Sequence, residues 1–424
     1  MKKQFVFWAV TAGLFTSCVQ NDLIVPELSE VEKGIQFQAV VAKQNSRAII
    51  SGTSYDEGAP SFGAYAFWNE TSLLPGSKHY IVNEEIKHFT GVNGLHYWST
   101  DGTDYLWKKD GSLTFYAYSP YRFQEANFAQ DELEPLEPEL GNYGFRFLNY
   151  NVDIHQETDL MVADVVWGQT ANSENIAGHT GVPTVFKHKL AQIAGFILKT
   201  SEDYDGLWDG TDEVNSGAAE GDIRFKIKKI QLKNIPVKGT FTSAGVEIDE
   251  DIIPEKWEIT STTSVTESVG EPGSTPEPEF QDYTWYDAGE TGGLLFGNED
   301  SKQLHLYTPL NQVSGLNYQV PSLQNGYILA IPQEFLEGSN ASLDIQYTVE
   351  KYDDSTDTWI NTRDGETEEF ISKSMPLRAI HASKDYKGWG IGKKIYYTLD
   401  FSTEEIRWAP SVVDWTDENI KVDY

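Results

Sequence analysis

Apolar residues recur at every second position through much of this chain, and no segment sustains the 3.6-residue period of a helix beyond a few turns. Side chains of a strand alternate between its two faces, so this period buries one face and wets the other. IQFQAV alternates Ile35, Phe37 and Ala39. LTFYAYSPY alternates Leu113, Phe115 and Ala117 and stops at Pro120. LDIQYTVEKY alternates Leu343, Ile345, Tyr347 and Val349, and IYYTLDF alternates Ile395, Tyr397, Leu399 and Phe401. Each reads as a half-buried strand. IRFKIKKIQLKNI is more particular. Ile223, Phe225 and Ile227 alternate, then Ile230 and Leu232 alternate one position out of phase. One extra residue at Lys228-Lys229 explains the slip, and a β-bulge supplies it. Gly, Asn and Asp are scattered as turn residues. The expected fold class is all-β, built as sandwiches.

The chain has 424 residues, enough for two or three domains that each bury a core. It shows no internal repeat. Residues 124–140 carry DELEPLEPEL, and residues 260–281 carry TSTTSVTESVGEPGSTPEPEFQ. Both read as exposed or disordered loops. The second is long for a plain connection, so it is either an insertion with a task or a tolerated surface insertion.

The N-terminus is a different kind of segment. Lys2 and Lys3 precede an almost wholly apolar run from Phe5 to Phe15, then Thr16, Ser17 and Cys18. This layout is that of a secretory signal peptide, and the run is too short to span a bilayer. Cys18 is the single cysteine, so it has no disulfide partner and no Cys-based zinc site. A small residue followed by Cys at this point resembles the lipobox of bacterial lipoproteins. In that family the Cys is acylated and becomes the first mature residue. The resemblance implies a signal peptide over 1–17, a lipid such as palmitate on Cys18, an outer-membrane location and a tether over 18–34. The alternative is an ordinary cleaved secretion signal. Loss of residues 1–17 removes Lys2 and Lys3 and takes the formal net charge from −33 to about −35. That excess leaves no basic face for nucleic acid.

Signals for catalysis are poor. None of His79, His88, His96, His155, His179, His188, His305 and His381 is spaced as a zinc motif. GWGIGKK, Gly388 to Lys394, lacks the hydroxyl residue and the following helix of a phosphate loop, so it reads as a glycine-rich turn. DYDGLWDGTDE places Asp203, Asp205, Asp209 and Asp212 on one loop, either as calcium ligands or as a solvated acidic turn. Its glycine comes too early for a calcium loop. With 65 acidic residues, some pair of carboxylates is inevitable and carries no inference. No metal, cofactor or catalytic residue is assigned, and the chain reads as a non-enzyme.

Several stretches together resemble the fimbrillin family of Bacteroidetes, the Mfa-like and type V pilin group. They are IQFQAV, NSRAII, LTFYAYSPY, TDLMVADVVWG, VFKHKLAQIAGFIL, NGYILAIPQ and WGIGKKIYYTLDF, in the family's order, across most of residues 35–401. The resemblance implies two β-sandwich domains of transthyretin-like topology, 35–200 and 201–424, the second carrying the insertion around 260–281. It implies a fimbrial subunit joined to others by donor-strand exchange. A protease cuts after an arginine near the N-terminus, a first strand leaves, and a neighbour's strand replaces it. Arg47 in NSRAII matches that position, with Ala48 the new start. The family more often has Thr where Ser46 stands, and Lys43 is near. Arg47 follows the polar run KQNS, the kind of segment where proteases cut. The other reading is a surface arginine at a strand edge. The strand released would hold Ile35, Phe37, Ala39 and Val41.

The candidate donor strand is the C-terminus. Val412, Val413 and Trp415 are apolar there, and Ile420, Val422 and Tyr424 alternate. It is either a donor or the last strand of its own sandwich. The long insertion leans towards a tip or accessory subunit in adhesion. Expected partners are other fimbrial subunits, outer-membrane lipid through Cys18, and a host or bacterial surface glycan or protein. The competing function is a glycan-binding surface lipoprotein that does not polymerise. Trp98, Tyr105 and Trp107, or Trp285 and Tyr286, would carry it.

Overall fold

In the computed structural model, the described residues are 34–41, 53–55, 59–69, 78–91, 96–121, 133–135, 144–152, 159–170, 181–200, 222–246, 252–259, 280–289, 293–296, 303–307, 312–313, 316–317, 328–335, 339–364, 369–378, 388–401 and 406–414. Among them there are strands, turns and no helix. The chain is all-β, as the alternation predicts.

The first strands are β1 (Phe37–Val41), β2 (Thr53–Ser54), β3 (Phe62–Asn69), β4 (Lys78–Thr90), β5 (His96–Thr100) and β6 (Ser112–Ser119). There follow β7 (Leu133–Pro135), β8 (Phe145–Asn151), β9 (Met161–Ala163), β10 (Val166–Gln169), β11 (Val182–His188) and β12 (Ala191–Thr200). Next come β13 (Ile223–Pro236), β14 (Lys238–Thr242), β15 (Gly245–Val246), β16 (Ile252–Ile253), β17 (Lys256–Ile259) and β18 (Phe280–Asp287). Then β19 (Leu294–Phe296), β20 (Gln303–Tyr307), β21 (Gln312–Val313), β22 (Leu316–Asn317), β23 (Ile328–Ala330) and β24 (Gln333–Glu334). The last are β25 (Ser342–Asp353), β26 (Thr358–Asn361), β27 (Ile371–Pro376), β28 (Gly388–Trp389), β29 (Lys393–Phe401) and β30 (Ile406–Asp414).

The first sheet runs β10-β6-β3-β4-β5-β1-β11-β9, and β6 also pairs with β9. That extra ladder joins the last strand, β9, back to β6, so the strands from β6 to β9 close into a ring around a core. Phe37, Phe62, Ala64, Ile86, Trp98, Phe115 and Phe186 fill the inside. A second sheet, β17-β14-β8-β7, covers one outer face. Tyr65, Phe67, Tyr116 and Tyr118 of the first sheet pack there with Phe147, Tyr150 and Phe241. This layer corrects one sequence expectation. β6 is not half-buried: Leu113 to Ser119 are buried without a break. Phe115 and Ala117 face the inner core while Tyr116 and Tyr118 face the second sheet.

The third core lies between two further sheets. One is β20-β12-β29-β30, with β23 on β12. The other is β18-β13-β25-β26, with β19 on β13 and β27 on β25. Their facing side chains include Phe196, Phe225, Ile227, Ile230, Trp285, Ile345, Tyr397 and Leu399, all buried. The slip in β13 is a bulge, as expected. Ile227 stands opposite Tyr347 and Lys229 opposite Gln346, so Lys228 is the extra residue. The shift keeps Ile230 and Leu232 on the core side. β12 pairs with β20, β23 and β29, so the end of the expected first domain joins strands of the second.

The acidic loop 124–140 is a partial correction. Within it β7 pairs with β8, Leu133 opposite Phe147 and Pro135 opposite Phe145. β7 is an edge strand, where a proline without an N–H is tolerated. Of 260–281, only Phe280 and Gln281, the start of β18, are described. The loop 203–213 lies outside the described residues.

GWGIGKK is a turn between β28 and β29. Gly388 has φ +153, and a Cβ there would sit 2.0 Å from the Gln333 carbonyl oxygen and 2.8 Å from Glu334 Cα. The obstacle is the paired backbone of β24, which cannot swing away. Trp389 beside it is buried, donates Nε1–H to Tyr397 Oη at 2.7 Å and meets the Phe335 ring edge-on at 4.9 Å. Gly388→Ala is therefore expected to cost about 1–3 kcal/mol, read as a lower urea midpoint. An unchanged midpoint would mean that β24 and β28 do not pair in solution.

Candidate functional site

β1 is the segment on which the sequence reading places most function. Ile35, Phe37 and Ala39 are buried, while Gln36 and Gln38 are exposed, as their alternation requires. The side chain of Val41 lies outside the described residues. β1 is an interior strand of the closed sheet. It runs parallel to β11, from Phe37 opposite Val182 to Val41 opposite Phe186. On its other side Phe37 stands opposite Trp98 of β5. Further backbone bonds fix its entry: Ile35 N–H donates to Tyr105 O at 2.7 Å, and Val182 N–H to Gln36 O at 2.7 Å. Ser99 Oγ donates to Ile35 O at 3.3 Å.

Phe37 is the anchor. Its ring meets Phe62 at 5.7 Å and Phe115 at 5.8 Å, both edge to face. Tyr55, just after β2, closes the same core. Its ring lies 5.0 Å from Trp98, 5.0 Å from Phe186 and 6.0 Å from Phe62. Tyr55 Oη donates to Pro60 O at 2.9 Å, which uses its single proton, so Ser119 Oγ donates to Tyr55 Oη. Burial pushes the Tyr55 hydroxyl up to about 12, against the lowering effect of the Ser119 bond. Tyr105, whose carbonyl holds β1, is also pushed up to about 12, by burial first and then by its bond to Glu84. Both stay neutral donors near neutral pH. Tyr55 is a site residue that the alternation misses, because SGTSYDEG around it is polar and carries no period.

β2 pairs antiparallel with β1, Val41 opposite Thr53 and Val40 opposite Ser54. The two paired ends are joined through residues 42–52, which lie outside the described residues. Lys43, Arg47 and Ala48 belong to that connection, and Cys18 also lies outside the described residues. Trp415, Ile420, Val422 and Tyr424 do so as well. Val412 and Val413 are in β30, opposite Ile395 and Lys394 of β29. β30 is the outer strand of its sheet, and Val412 is 42% exposed.

The aromatic residues weighed as a sugar platform are mostly core. Trp98, Trp285 and Tyr286 are buried, so none presents a ring face to solvent. Tyr105 and Trp107 are half-buried. The Tyr105 hydroxyl donates to Glu84 at 2.8 Å, and the Trp107 ring packs at 5.9 Å from Phe115. Closure of the first sheet turns Trp98 inward, which alternation alone does not specify.

The fimbrillin-like family model matches residues 46–415. β1 precedes the matched region. A solved fimbrial protein from Bacteroides vulgatus is similar at a TM-score of 0.52 and 15% sequence identity, over 90% of this chain and 100% of that one. At that identity the likeness shows the fold. The tip fimbrial protein Mfa3 from Porphyromonas gingivalis, with a C-terminal truncation, gives a TM-score of 0.30 at 11% identity, over 90% of this chain and 100% of that one. No curated protein matches. The matched region takes in every strand from β2 to β30, and this chain belongs to the fimbrillin-like family.

Proposed function

We propose that this chain is a fimbrial subunit, exported as a lipoprotein through Cys18 and joined to its neighbours by protease-triggered strand exchange at the seat of β1. One observation carries the reading. β1 is short, lies inside a closed sheet, and with Ile35 just before it places Phe37 and Ala39 in the core. Its departure would uncover backbone donors and acceptors on β5 and β11 together with an apolar slot. Such a gap accepts a strand of the same alternation, with main-chain bonds giving affinity and side-chain pockets giving specificity. A cut after Arg47 would sever the β1–β2 connection and leave β1 held by non-covalent contacts alone. The C-terminal region is the proposed donor, although its Val412 and Val413 are paired with β29 in the chain's own sheet.

In this reading the protein is an outer-membrane and cell-surface component with no catalytic role. The sandwiches have transthyretin-like topology and form two domains. The proposed domains are 35–200 and 201–424, with Phe241, Leu329 and Ile331 of the second reaching back into the second core. The insertion around 260–281 fits a tip or accessory position. Burial of Trp98, Trp285 and Tyr286 counts against the glycan-binding alternative.

Limited trypsin digestion of the full chain tests the proposal. The expected result is one early cut, a new N-terminus at Ala48, and multimers that do not form with Arg47→Ala. Resistance at Arg47 together with a monomeric product would overturn it.

A further inference from the structure

We propose that His88 and His96 form a binding site for a divalent transition-metal ion. The residues lie on β4 and β5, a strand pair in which His88 is opposite Trp98 and Thr90 is opposite His96. The diagonal across this ladder brings the two imidazoles together. His88 Nε2 and His96 Nδ1 are 3.2 Å apart, with ring centroids 5.1 Å apart and planes 20° from parallel. A hydrogen bond between the two nitrogens joins them in the structure. The separation also suits two bonds of about 2.0–2.1 Å to one ion, which would meet at roughly 100°, close to tetrahedral. An ion in place of that hydrogen bond requires each ring to turn until its lone pair points off the N···N line to a common apex.

The surroundings hold the pair in place. The His88 ring stands against Trp98 at 5.2 Å, and Trp98 is fixed in the inner core. Thr90 Oγ1 lies 3.4 Å from His96 Nδ1. His96 is exposed, so an ion can reach the pair and water can fill its other positions. Among the described residues no group of three or more His, Cys, Asp and Glu side chains could hold an ion, so the protein supplies two ligands here. With nitrogen donors and no carboxylate, the site favours Cu²⁺, Ni²⁺ and Zn²⁺ over Ca²⁺ and Mg²⁺. The formal charge of −33 draws cations of both kinds to the surface, but does not distinguish between them. A bound ion would staple β4 to β5, the strand whose Trp98 stands opposite Phe37 of β1.

Titration of the full chain with Cu²⁺, its Cys18 thiol alkylated, tests the inference by electron paramagnetic resonance. The expected spectrum shows coupling to two imidazole nitrogens. His96→Gln changes an exposed side chain and should weaken this binding by roughly tenfold or more, and His88→Gln should do the same. His79→Gln on β4 should leave it unchanged. Excess Zn²⁺ should compete and excess Ca²⁺ should not. Retained affinity in both the His88 and the His96 variants would overturn the assignment, as would displacement of the ion by Ca²⁺.

Discussion

Phe37→Ala is expected to lower the stability of the protein by about 3–5 kcal/mol, the range for a buried phenylalanine truncated in a packed core. The ring is 3% exposed and sits between Phe62 and Phe115. Rings that meet edge-on cannot close over the vacated space without turning out of their own contacts with Trp98 and Trp107. The cavity therefore persists, and its lining loses dispersion contacts as well as hydrophobic burial. Denaturant unfolding of the uncut chain measures the effect. Gln38→Ala, on the exposed face of the same strand, is the control and should change stability by less than about 0.5 kcal/mol. A loss below about 1 kcal/mol for Phe37→Ala would show that β1 does not rest in this core. The same substitution separates structure from the proposed exchange. After trypsin treatment, the severed Phe37→Ala strand should leave faster than the wild-type strand, because unfolding and strand release both break the contacts that it lacks.

Much of this site was legible in the sequence, and the part that was not has a physical cause. Ile35, Phe37 and Ala39 announce their inward face by alternation, and the out-of-phase pair Ile230 and Leu232 announces the bulge at Lys228. Period two says that one face is buried, but not what buries it. It says nothing of a second sheet over the other face, so Tyr116 and Tyr118 read as wet and are dry. Closure of the first sheet through β6 and β9 is likewise a long-range pairing with no local signal. Tyr55 enters the core from a polar run, held by Trp98 and Phe186, far from it in sequence. His88 and His96 fit no spacing motif, because a ladder between strands sets their distance.

Arg224 shows the same limit, and breaking its ion pair is expected to be the other large loss. On alternation it is a solvent-facing residue between Ile223 and Phe225. In the fold its Nε donates to Glu350 Oε2 at 2.6 Å, with the two side chains 8% and 13% exposed. Its guanidinium also lies over the Trp359 ring, 4.4 Å from the centroid. Arg224 and Glu350 are directly opposite on β13 and β25, and β26 brings Trp359 alongside. Glu350→Leu should cost about 3–5 kcal/mol, because it leaves a buried cation without its carboxylate. Arg224→Met should cost a similar amount by stranding the carboxylate. Arg224→Met combined with Glu350→Leu should recover most of either loss, since no uncompensated charge is left and the replacements pack well. Added salt should change these values little, because buried charges are poorly screened. Arg224→Lys should keep the charge and still lose stability, since an ammonium has no planar face to lie on Trp359. A double variant as unstable as the worse single variant would show that the loss comes from packing and not from an unpaired charge. If instead it recovers, the pair adds little net stability, and its contribution is to register. β13 carries a bulge at Lys228, so its pairing with β25 could slip by one residue on either side of that point. A cation and a carboxylate directly opposite each other at low exposure favour the observed alignment over a slipped one.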